Sequence, residues 1–264
     1  MRGIIKDSRV KRGILSALRK GEVVSGDSIA EKLRVSRVAV WKHIRELAEL
    51  GYDIKSTPKG YRLLEEPGKP YPWELDVRSY YLIKTDSTMN VARKLAEKGE
   101  KSWTFVIAEE QTAGRGRLKR RWISRKGGLY FSLILKPEMK LTEAGKLLPP
   151  VLEAVKRTLE EYGLKVEISE GGVFTGGRKI AGVLIDVGGE LDMLRYAIIG
   201  VGLNVSNPVP EGATSLRMEL GKAPPLLDVS VKLFRNLSLT LGTFLKESME
   251  VEDDDSGQKP LAHL

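Results

Sequence analysis

The sequence contains no cysteine and only two histidines, His43 and His263, among its 264 residues. The lack of thiols excludes disulfides and thiolate-held metals, and two imidazoles argue against a catalytic triad or a histidine zinc site. No apolar run reaches the ~18–20 residues of a membrane-spanning helix. The opening MRGIIKDSRVKRG is charged where a secretory peptide is apolar. These absences predict a cytoplasmic protein without a membrane segment.

Positive charge is concentrated in the first quarter of the chain. The whole sequence has 44 Lys and Arg against 35 Asp and Glu, a net charge of +9. Residues 1–65 hold 15 of the basic and 8 of the acidic residues, and therefore +7 of that total. This excess indicates a polyanionic partner such as nucleic acid or a nucleotide phosphate.

Residues 1–65 have the pattern of a winged helix-turn-helix. Apolar spacing predicts helices at roughly 8–20, 27–33 and 36–51, and two β-patterns follow around a turn. In this fold the third helix enters the major groove and the wing reaches phosphates. The predicted DNA-contacting residues are Ser36, Arg37, Val38, Trp41, Lys42, Lys55 and Lys59. A basic helical domain that contacts proteins is the alternative.

Proline and glycine mark a boundary after this domain. Residues 65–76, EEPGKPYPWELD, contain three Pro and one Gly and predict a linker. Strand and helix patterns then alternate to about residue 245, with one helix expected to be interrupted at Pro149 and Pro150. We expect an α+β protein with a mixed, largely antiparallel sheet flanked by helices. Its expected parts are residues 1–65, a linker at 66–76, a catalytic or ligand-binding domain at 77–246 and a disordered acidic tail at 247–264.

A basic segment with glycine hinges lies inside the second domain. Residues 114–128 read GRGRLKRRWISRKGG, between two apolar strand patterns. Gly114 and Gly116 allow the backbone to approach a ligand, and the forked guanidinium groups of Arg115 and Arg117 suit carboxylate or phosphate. A solvated surface loop is the alternative.

Other motifs admit ordinary structural interpretations. Asp86, Ser87 and Thr88 precede a helix pattern and are typical of a helix cap. Lys179 follows two glycines and is compatible with an exposed lysine. IIGVGLNV lacks the third glycine of a dinucleotide-binding turn, and GGVFTGGRK lacks the Lys-Ser/Thr end of a P-loop.

Taken in order, DSTMNVARKLAEKG, QTAGRGRLKRRWISRKGGLYFSL, GRKIAGVLID and IIGVGLNVSN resemble the biotin–protein ligase family. The N-terminal SRVAVWKHIRELAELGYDIKSTPKGYRLL resembles the DNA-binding domain of its bifunctional ligase/repressor members. The resemblance extends from residue 9 to about residue 245, and Gln-x-x-Gly-Arg-Gly-Arg is its most specific part. Lipoate ligases share the fold but carry a different arginine-glycine motif, so biotin is favoured.

The resemblance implies a ligase that uses ATP and Mg²⁺ to join biotin to AMP and then passes biotin to a lysine of a biotin carboxyl carrier protein. The adenylate would also be the corepressor of a homodimer that binds operator DNA. Implied catalytic residues are Lys179, Arg115 and Arg117, and the basic segment would be a lid. The implied biotin-binding residues are Ser87, Thr88, Gln111, Gly114, Arg115, Lys179, Gly182, Leu184 and Gly202. The implied adenylate-binding residues are Arg117, Lys119, Arg120, Arg121, Trp122 and Asn204.

Parts of the family pattern have no counterpart in the sequence. Where the family has Lys-Trp-Pro-Asn-Asp, which serves ATP and metal, residues 166–177 read VEISEGGVFTGG, with Glu167 or Glu170 as candidate metal carboxylates. Met89 follows Ser-Thr where an amide is common, and the small β-barrel that ends many members is not found. Three interpretations follow: an active ligase and repressor, a non-catalytic regulator that senses biotin or biotinyl-AMP, and a winged-helix regulator of another carboxylic acid.

Overall fold

The structure, a computed structural model, describes residues 3–255 and the side chains of residues 3–118 and 120–246. The N-terminal elements are β1 (Ile4–Lys6), α1 (Arg9–Leu18), α2 (Gly26–Leu33), α3 (Arg37–Glu49), β2 (Asp53–Thr57) and β3 (Gly60–Glu65). The three helices are capped by Ser8, Ser25 and Ser36, whose hydroxyls accept from backbone N–H groups three residues on. β2 and β3 form an antiparallel wing. The predicted winged helix-turn-helix is confirmed.

The remaining elements form one large sheet with its covering helices. They are β4 (Ser79–Leu82), α4 (Thr88–Glu97), β5 (Thr104–Ala108), β6 (Leu129–Leu135), α5 (Leu148–Glu160), β7 (Glu167–Ser169), β8 (Gly172–Thr175), β9 (Arg178–Glu190), β10 (Met193–Leu203), α6 (Leu216–Leu220) and α7 (Leu226–Asp255). The strand order is β1-β4-β5-β6-β10-β9-β8-β7. Only β4 and β5 pair in parallel; the other neighbours are antiparallel. The expected α+β class with a mixed, largely antiparallel sheet is confirmed.

Helices cover both faces of this sheet. Side chains of a strand alternate between faces, and those of β5 divide accordingly. Phe105 and Ile107 pack in the cluster that contains α5 and α7, whereas Val106 and Ala108 pack with α4. Phe234 of α7 stacks on Phe105 with ring centres 4.1 Å apart. This layering fixes the start of α4 beside the sheet edge from which the basic segment leaves.

Pro149 and Pro150 begin a helix instead of interrupting one. A 3-10 helix (Leu141–Leu147) ends just before them, and both prolines lie in the first turn of α5. A proline is tolerated there because the first backbone N–H groups of a helix have no intrahelical partner.

Residues 66–76 are not the exposed linker that their proline content predicts. Tyr71 and Trp73 are 0% and 1% exposed, and a 3-10 helix (Pro72–Glu74) lies between α3's domain and the sheet. The Tyr71 hydroxyl donates to the carbonyl of Leu50 at 2.8 Å, and its ring meets that of Tyr81 edge-on. The winged domain and the sheet therefore share one hydrophobic cluster. Burial of two large aromatic rings outweighs the turn-forming residues around them.

The structure also differs from the expected domain limits at both ends of the chain. β1 pairs with β4, so residues 4–6 belong to the large sheet and not to the winged domain. α7 runs to Asp255, and residues 247–255 continue it because they contain neither proline nor glycine. The rest of the predicted tail, residues 256–264, lies outside the described part of the chain. Within the described range, no helix is both long and apolar enough to cross a membrane.

Candidate ligand pocket and DNA-binding surface

A pocket, here the inner pocket, opens between the start of α4, the β9–β10 hairpin and the basic segment between β5 and β6. Its lining comprises Ser87, Thr88, Met89, Gln111, Arg115, Gly116, Arg117, Trp122, Phe131, Gly171, Lys179, Gly182, Val183, Leu184, Gly200, Val201 and Gly202. The sheet thus brings together every residue assigned to biotin by sequence except Gly114. That glycine lies just behind the lining, where an added Cβ would be 2.4 Å from the carbonyl oxygen of Trp122.

A second cavity, the outer pocket, adjoins the first beneath the basic segment. It is lined by Gly116, Arg117, Leu118, Arg120, Arg121, Trp122, Ile123, Glu170, Lys179, Asn204, Pro210 and Ala213. The two pockets share Gly116, Arg117, Trp122 and Lys179. The residues assigned to the adenylate line this cavity, apart from Lys119, whose side chain lies outside the described residues.

Two buried polar atoms of the inner pocket have no hydrogen-bond partner among the described residues. Ser87 is the N-cap residue of α4, but its hydroxyl makes no cap hydrogen bond, and the Trp122 indole N–H is also unpaired. Both side chains line the inner pocket. Because an unpartnered buried polar group costs free energy, these two atoms indicate a ligand with complementary polar groups. Ser87 thus occupies the expected capping position, but its hydroxyl does not cap the helix.

Thr88 and Gln111 hold each other in place at the same pocket. The Gln111 Oε1 atom accepts from the Thr88 backbone N–H at 2.8 Å and from its hydroxyl at 3.1 Å. Gln111 Nε2 donates to the Ser124 hydroxyl at 2.8 Å, and the hydroxyls of Thr88 and Ser132 lie 2.8 Å apart. The network joins α4 and β6 to Gln111, which precedes the basic segment, and to Ser124 within it, so it positions the pocket wall before a ligand arrives.

Two glycines form the floor under the indole of Trp122. Gly182 of β9 and Gly202 of β10 are opposite each other in the sheet. A Cβ added at Gly202 would lie 2.4 Å from Trp122 Nε1, and one at Gly182 would lie 3.0 Å from the same ring. Their role is close approach of a ring to the sheet.

Lys179 lies where the inner and outer pockets meet. Its ammonium nitrogen is 5.6 Å from the centre of the Trp122 ring and 5.8 Å from that of Phe174. Burial lowers the pKa of Lys179, and the charges of Arg117 and Arg120 lower it further. Lys179 is half-buried, not the exposed lysine of the structural interpretation. A bound anion would stabilise the charged form of Lys179, which burial and the neighbouring arginines disfavour.

Arg115 is oriented by a carboxylate on the sheet. Asp186 of β9 forms an ion pair with Arg93 of α4, and its Oδ2 atom is 3.5 Å from an Arg115 nitrogen. Burial lowers the pKa of Arg115, with a smaller contribution from Arg93. The sequence motifs do not point to Arg93 or Asp186, since neither lies in the basic segment.

The basic segment is a closed, hydrogen-bonded loop. The backbone N–H of Gly116 donates to Arg120 at 2.8 Å, and that of Trp122 donates to Gly114 at 3.0 Å. At its tip Leu118 has φ +54° and is 83% exposed. The tip therefore projects into solvent, whereas the two backbone hydrogen bonds hold the base of the loop.

The side-chain amide of Asn204 is hydrogen-bonded to other residues of the protein. Its Nδ2 donates to the Thr214 carbonyl and its Oδ1 accepts from Asn207, both at 3.0 Å. The amide therefore secures the loop that edges the outer pocket, and its assigned contact with the adenylate stays a prediction.

The pockets do not fit a divalent metal. Mg²⁺ requires oxygen ligands, with carboxylates foremost. Among the residues that the structure describes, Glu170 is the single carboxylate in the lining of the inner and outer pockets, and Glu167 lies in neither. Within the described residues, no three His, Asp or Glu side chains are grouped for a metal. The lining cations occupy this region instead.

The winged domain exposes the residues assigned to DNA. Val38 and Trp41 are 72% and 49% exposed at the start of α3. Arg37 makes a solvent-exposed ion pair with Asp27 at 3.4 Å, which contributes little. The remaining assigned residues, Ser36, Lys42, Lys55 and Lys59, are exposed on the same helix start and on the wing.

Sequence reasoning missed several parts of the pocket. Met89, whose sulfur would lie 2.8 Å from a Cβ on Gly200, and Phe131 provide apolar walls. Strand alternation could have placed Phe131 in the sheet, and helical periodicity could have placed Met89 on α4, but neither pattern locates the pocket.

Sequence comparisons match both parts of the chain. Residues 11–62 match an HTH domain, and residues 81–204 match the Biotin/lipoate A/B protein ligase family. The bifunctional ligase/repressor BirA of Bacillus subtilis is 37% identical over 218 residues, 76% of this chain and 67% of that protein. The bifunctional ligase/repressor BirA of Escherichia coli is 31% identical over 261 residues, 93% of this chain and 80% of that protein.

Structure comparisons give the same family. A biotin protein ligase of Aquifex aeolicus, in complex with biotin and ATP, has a TM-score of 0.54 at 31% identity, over 64% of this chain and 72% of that one. The ligase of Leishmania major, in complex with biotinyl-5-AMP, has a TM-score of 0.51 at 25% identity, over 71% of this chain and 86% of that one. The chain is therefore a member of the biotin–protein ligase family, of the bifunctional ligase/repressor type with an N-terminal helix-turn-helix domain.

Proposed function

We propose that this protein joins biotin to AMP, using ATP, transfers biotin to a lysine of a biotin carboxyl carrier protein, and represses transcription by binding operator DNA. The observation that carries the proposal is the inner pocket. It presents two unpartnered buried polar atoms, Ser87 Oγ and Trp122 Nε1, next to the half-buried ammonium of Lys179.

In this proposal the inner pocket receives the biotin rings. The hydroxyl of Ser87 and the indole N–H of Trp122 would pair with ring and side-chain polar atoms of biotin, while Met89 and Phe131 would contact its apolar parts. Thr88 and Gln111 would fix the wall through their own hydrogen bonds. The biotin carboxylate would then point to Lys179 at the junction of the two pockets.

The outer pocket would receive the adenylate. Joining a carboxylate to a phosphate brings two anions together, and Lys179, Arg115 and Arg117 would offset their repulsion and the charge that builds on phosphorus. Arg120, Arg121 and Lys119 would extend this positive field over the nucleotide. Holding both reactants at adjoining sites supplies further acceleration.

The winged domain would bind the operator through the exposed start of α3 and the wing. Operators of such proteins consist of paired half-sites, which a two-fold dimer matches, and we propose that this chain acts as a homodimer. A requirement for ATP and operator DNA agrees with the cytoplasm as its place of action.

A second function is favoured by one specific observation. Because the pockets do not fit Mg²⁺, the chain is also a candidate for a non-catalytic regulator that recognises biotin or preformed biotinyl-AMP. The two functions share the inner pocket and the DNA surface, and they differ in catalysis: only the ligase releases pyrophosphate and transfers biotin to a carrier protein.

The decisive experiment incubates the full-length protein with biotin and ATP, with and without MgCl₂, and measures pyrophosphate. Release, followed by labelling of a carrier-protein fragment, is expected of the ligase. Tight binding of biotinyl-AMP without release would assign the protein to the second function. Failure to bind either biotin or biotinyl-AMP would contradict both.

Operator binding is tested separately by selecting DNA from a random pool with the biotinyl-AMP complex. We expect a palindromic site, and a protein dimer in sedimentation analysis of the selected complex. A protein that retains no sequence above background would contradict the repressor half of the proposal.

A further inference from the structure

Two adjacent glycines leave the pocket wall without side chains at the place where the basic segment packs against it. Gly171, with φ +70°, lies in the turn before β8, and Gly172 is the first residue of that strand. A Cβ added at Gly171 would lie 2.6 Å from a guanidinium nitrogen of Arg117, and one at Gly172 would lie 2.8 Å from Cε of Lys179. The side chains of Arg117 and Lys179 therefore lie in the space that side chains at 171 and 172 would fill.

The charges around this contact are unbalanced. Arg117, Arg120, Arg121 and Lys179 line the outer pocket, and Glu170 is the one carboxylate in its described lining. None of the salt bridges among the described residues joins Arg117, Arg120 or Lys179 to a carboxylate within 4.0 Å. Like charges held close together are unfavourable unless an anion arrives.

We propose that Arg117 and Lys179, admitted by Gly171 and Gly172, neutralise the phosphates of the bound nucleotide in place of a divalent metal. This inference rests on the proposed function for the identity of the nucleotide. Its basis is the chemistry of the wall: two positions without side chains, two cations packed on them, and a single carboxylate nearby. Gly171 and Gly172 are then specificity-determining residues that select metal-free nucleotide.

The direction in which Mg²⁺ changes ATP affinity distinguishes a pocket that binds the metal from a pocket that uses its own cations. A site that holds Mg²⁺ binds ATP more tightly when the metal is present. In a site of fixed cations, Mg²⁺ cancels ligand charge that Arg117 and Lys179 would otherwise neutralise, so it leaves ATP binding unchanged or weakens it.

The test is isothermal titration of ATP, supplied as its non-reacting α,β-methylene analogue so that no adenylate forms, into the biotin-saturated, full-length protein, in EDTA and in millimolar MgCl₂. Equal or weaker binding in MgCl₂ supports the inference. Binding that MgCl₂ strengthens by more than about threefold, beyond the change that salt alone produces, overturns it.

Variants test whether Arg117 and Lys179 cause the effect of MgCl₂ on ATP binding. Arg117→Met should weaken ATP binding in EDTA by about tenfold or more, as expected for the loss of a charged hydrogen-bond donor. Arg195→Met is the matched control, because Arg195 is an exposed arginine outside both pockets, 3.5 Å from Glu190. Gly172→Asp, which puts a carboxylate beside Lys179, should weaken metal-free ATP binding and make MgCl₂ strengthen it. An Arg117→Met protein that melts normally and binds ATP like wild type overturns the inference.

Failure of the proposed function gives a different result. A protein that binds biotinyl-AMP but no ATP in either buffer is not the ligase, and the inference is then judged on biotinyl-AMP. Binding of that compound in EDTA, lost in Arg117→Met, supports the inference. Binding that requires MgCl₂ overturns it.

Discussion

The Ser87 hydroxyl provides a test in which stability and binding change in opposite directions. Ser87 is 1% exposed and its Oγ has no partner. Ser87→Ala removes a buried hydroxyl whose desolvation cost is not recovered, a cost of ~1–3 kcal/mol. The alanine variant avoids part of this desolvation cost. An increase of ~1 kcal/mol in the free energy of unfolding would raise the Tm by ~2 °C in a chain of this size.

Biotin binding should change the other way. If Ser87 donates to or accepts from biotin, the alanine variant leaves a ligand group unpaired, and an expected loss of ~1.4 kcal/mol is about tenfold in Kd. Calorimetric titration with biotin and a thermal melt of the same sample measure both effects. A less stable variant with unchanged biotin affinity would refute the reasoning, because the hydroxyl would then be structural.

Ser79→Ala is the matched control for this experiment. Ser79 of β4 is also buried, 5% exposed, and also has an unpartnered hydroxyl, but it lines neither pocket. We expect the same small gain in stability and no change in biotin affinity.

The remaining predictions concern the pocket floor, the DNA surface and pH. Gly202→Ala should weaken biotin binding by about tenfold or more, since the new Cβ would lie 2.4 Å from the Trp122 indole nitrogen; titration calorimetry measures this. Arg37→Ala should weaken operator binding in a mobility-shift assay, lower the salt slope by about 1, and leave biotin affinity unchanged. Affinity for biotinyl-AMP should fall with rising pH at a lower pH than an ordinary lysine allows, because burial lowers the pKa of Lys179. The stability of the free protein should rise in that same window, because the unfolded chain there binds more protons than the folded one.

Each of these has its own control. Gly145→Ala adds a Cβ in open space and should leave biotin binding unchanged. A parallel fall in biotin affinity in Arg37→Ala would show that the two domains are not functionally separable. Lys179→Met should abolish both pH effects, and a variant that kept them would assign the titration to another group.

The candidate site was largely predictable where residue chemistry is carried by contiguous motifs. Gln111, Arg115, Arg117 and Trp122 come from one segment, and the structure brings them to one pocket. Asp186 and Arg93, which orient Arg115, were not predictable. They lie on different elements, and their contact exists only after α4 packs on the sheet.

The sequence by itself determined the winged domain, the strand and helix alternation and the basic loop, because these follow from local periodicity, capping residues and charge. Tertiary structure alone decided that Tyr71 and Trp73 fuse the expected linker to both domains, since burial of apolar surface depends on what packs against it. It also decided that Gly171 and Gly172 face Arg117 and Lys179. An absent side chain conveys little in a sequence, and its meaning appears only when the fold shows what fills the space.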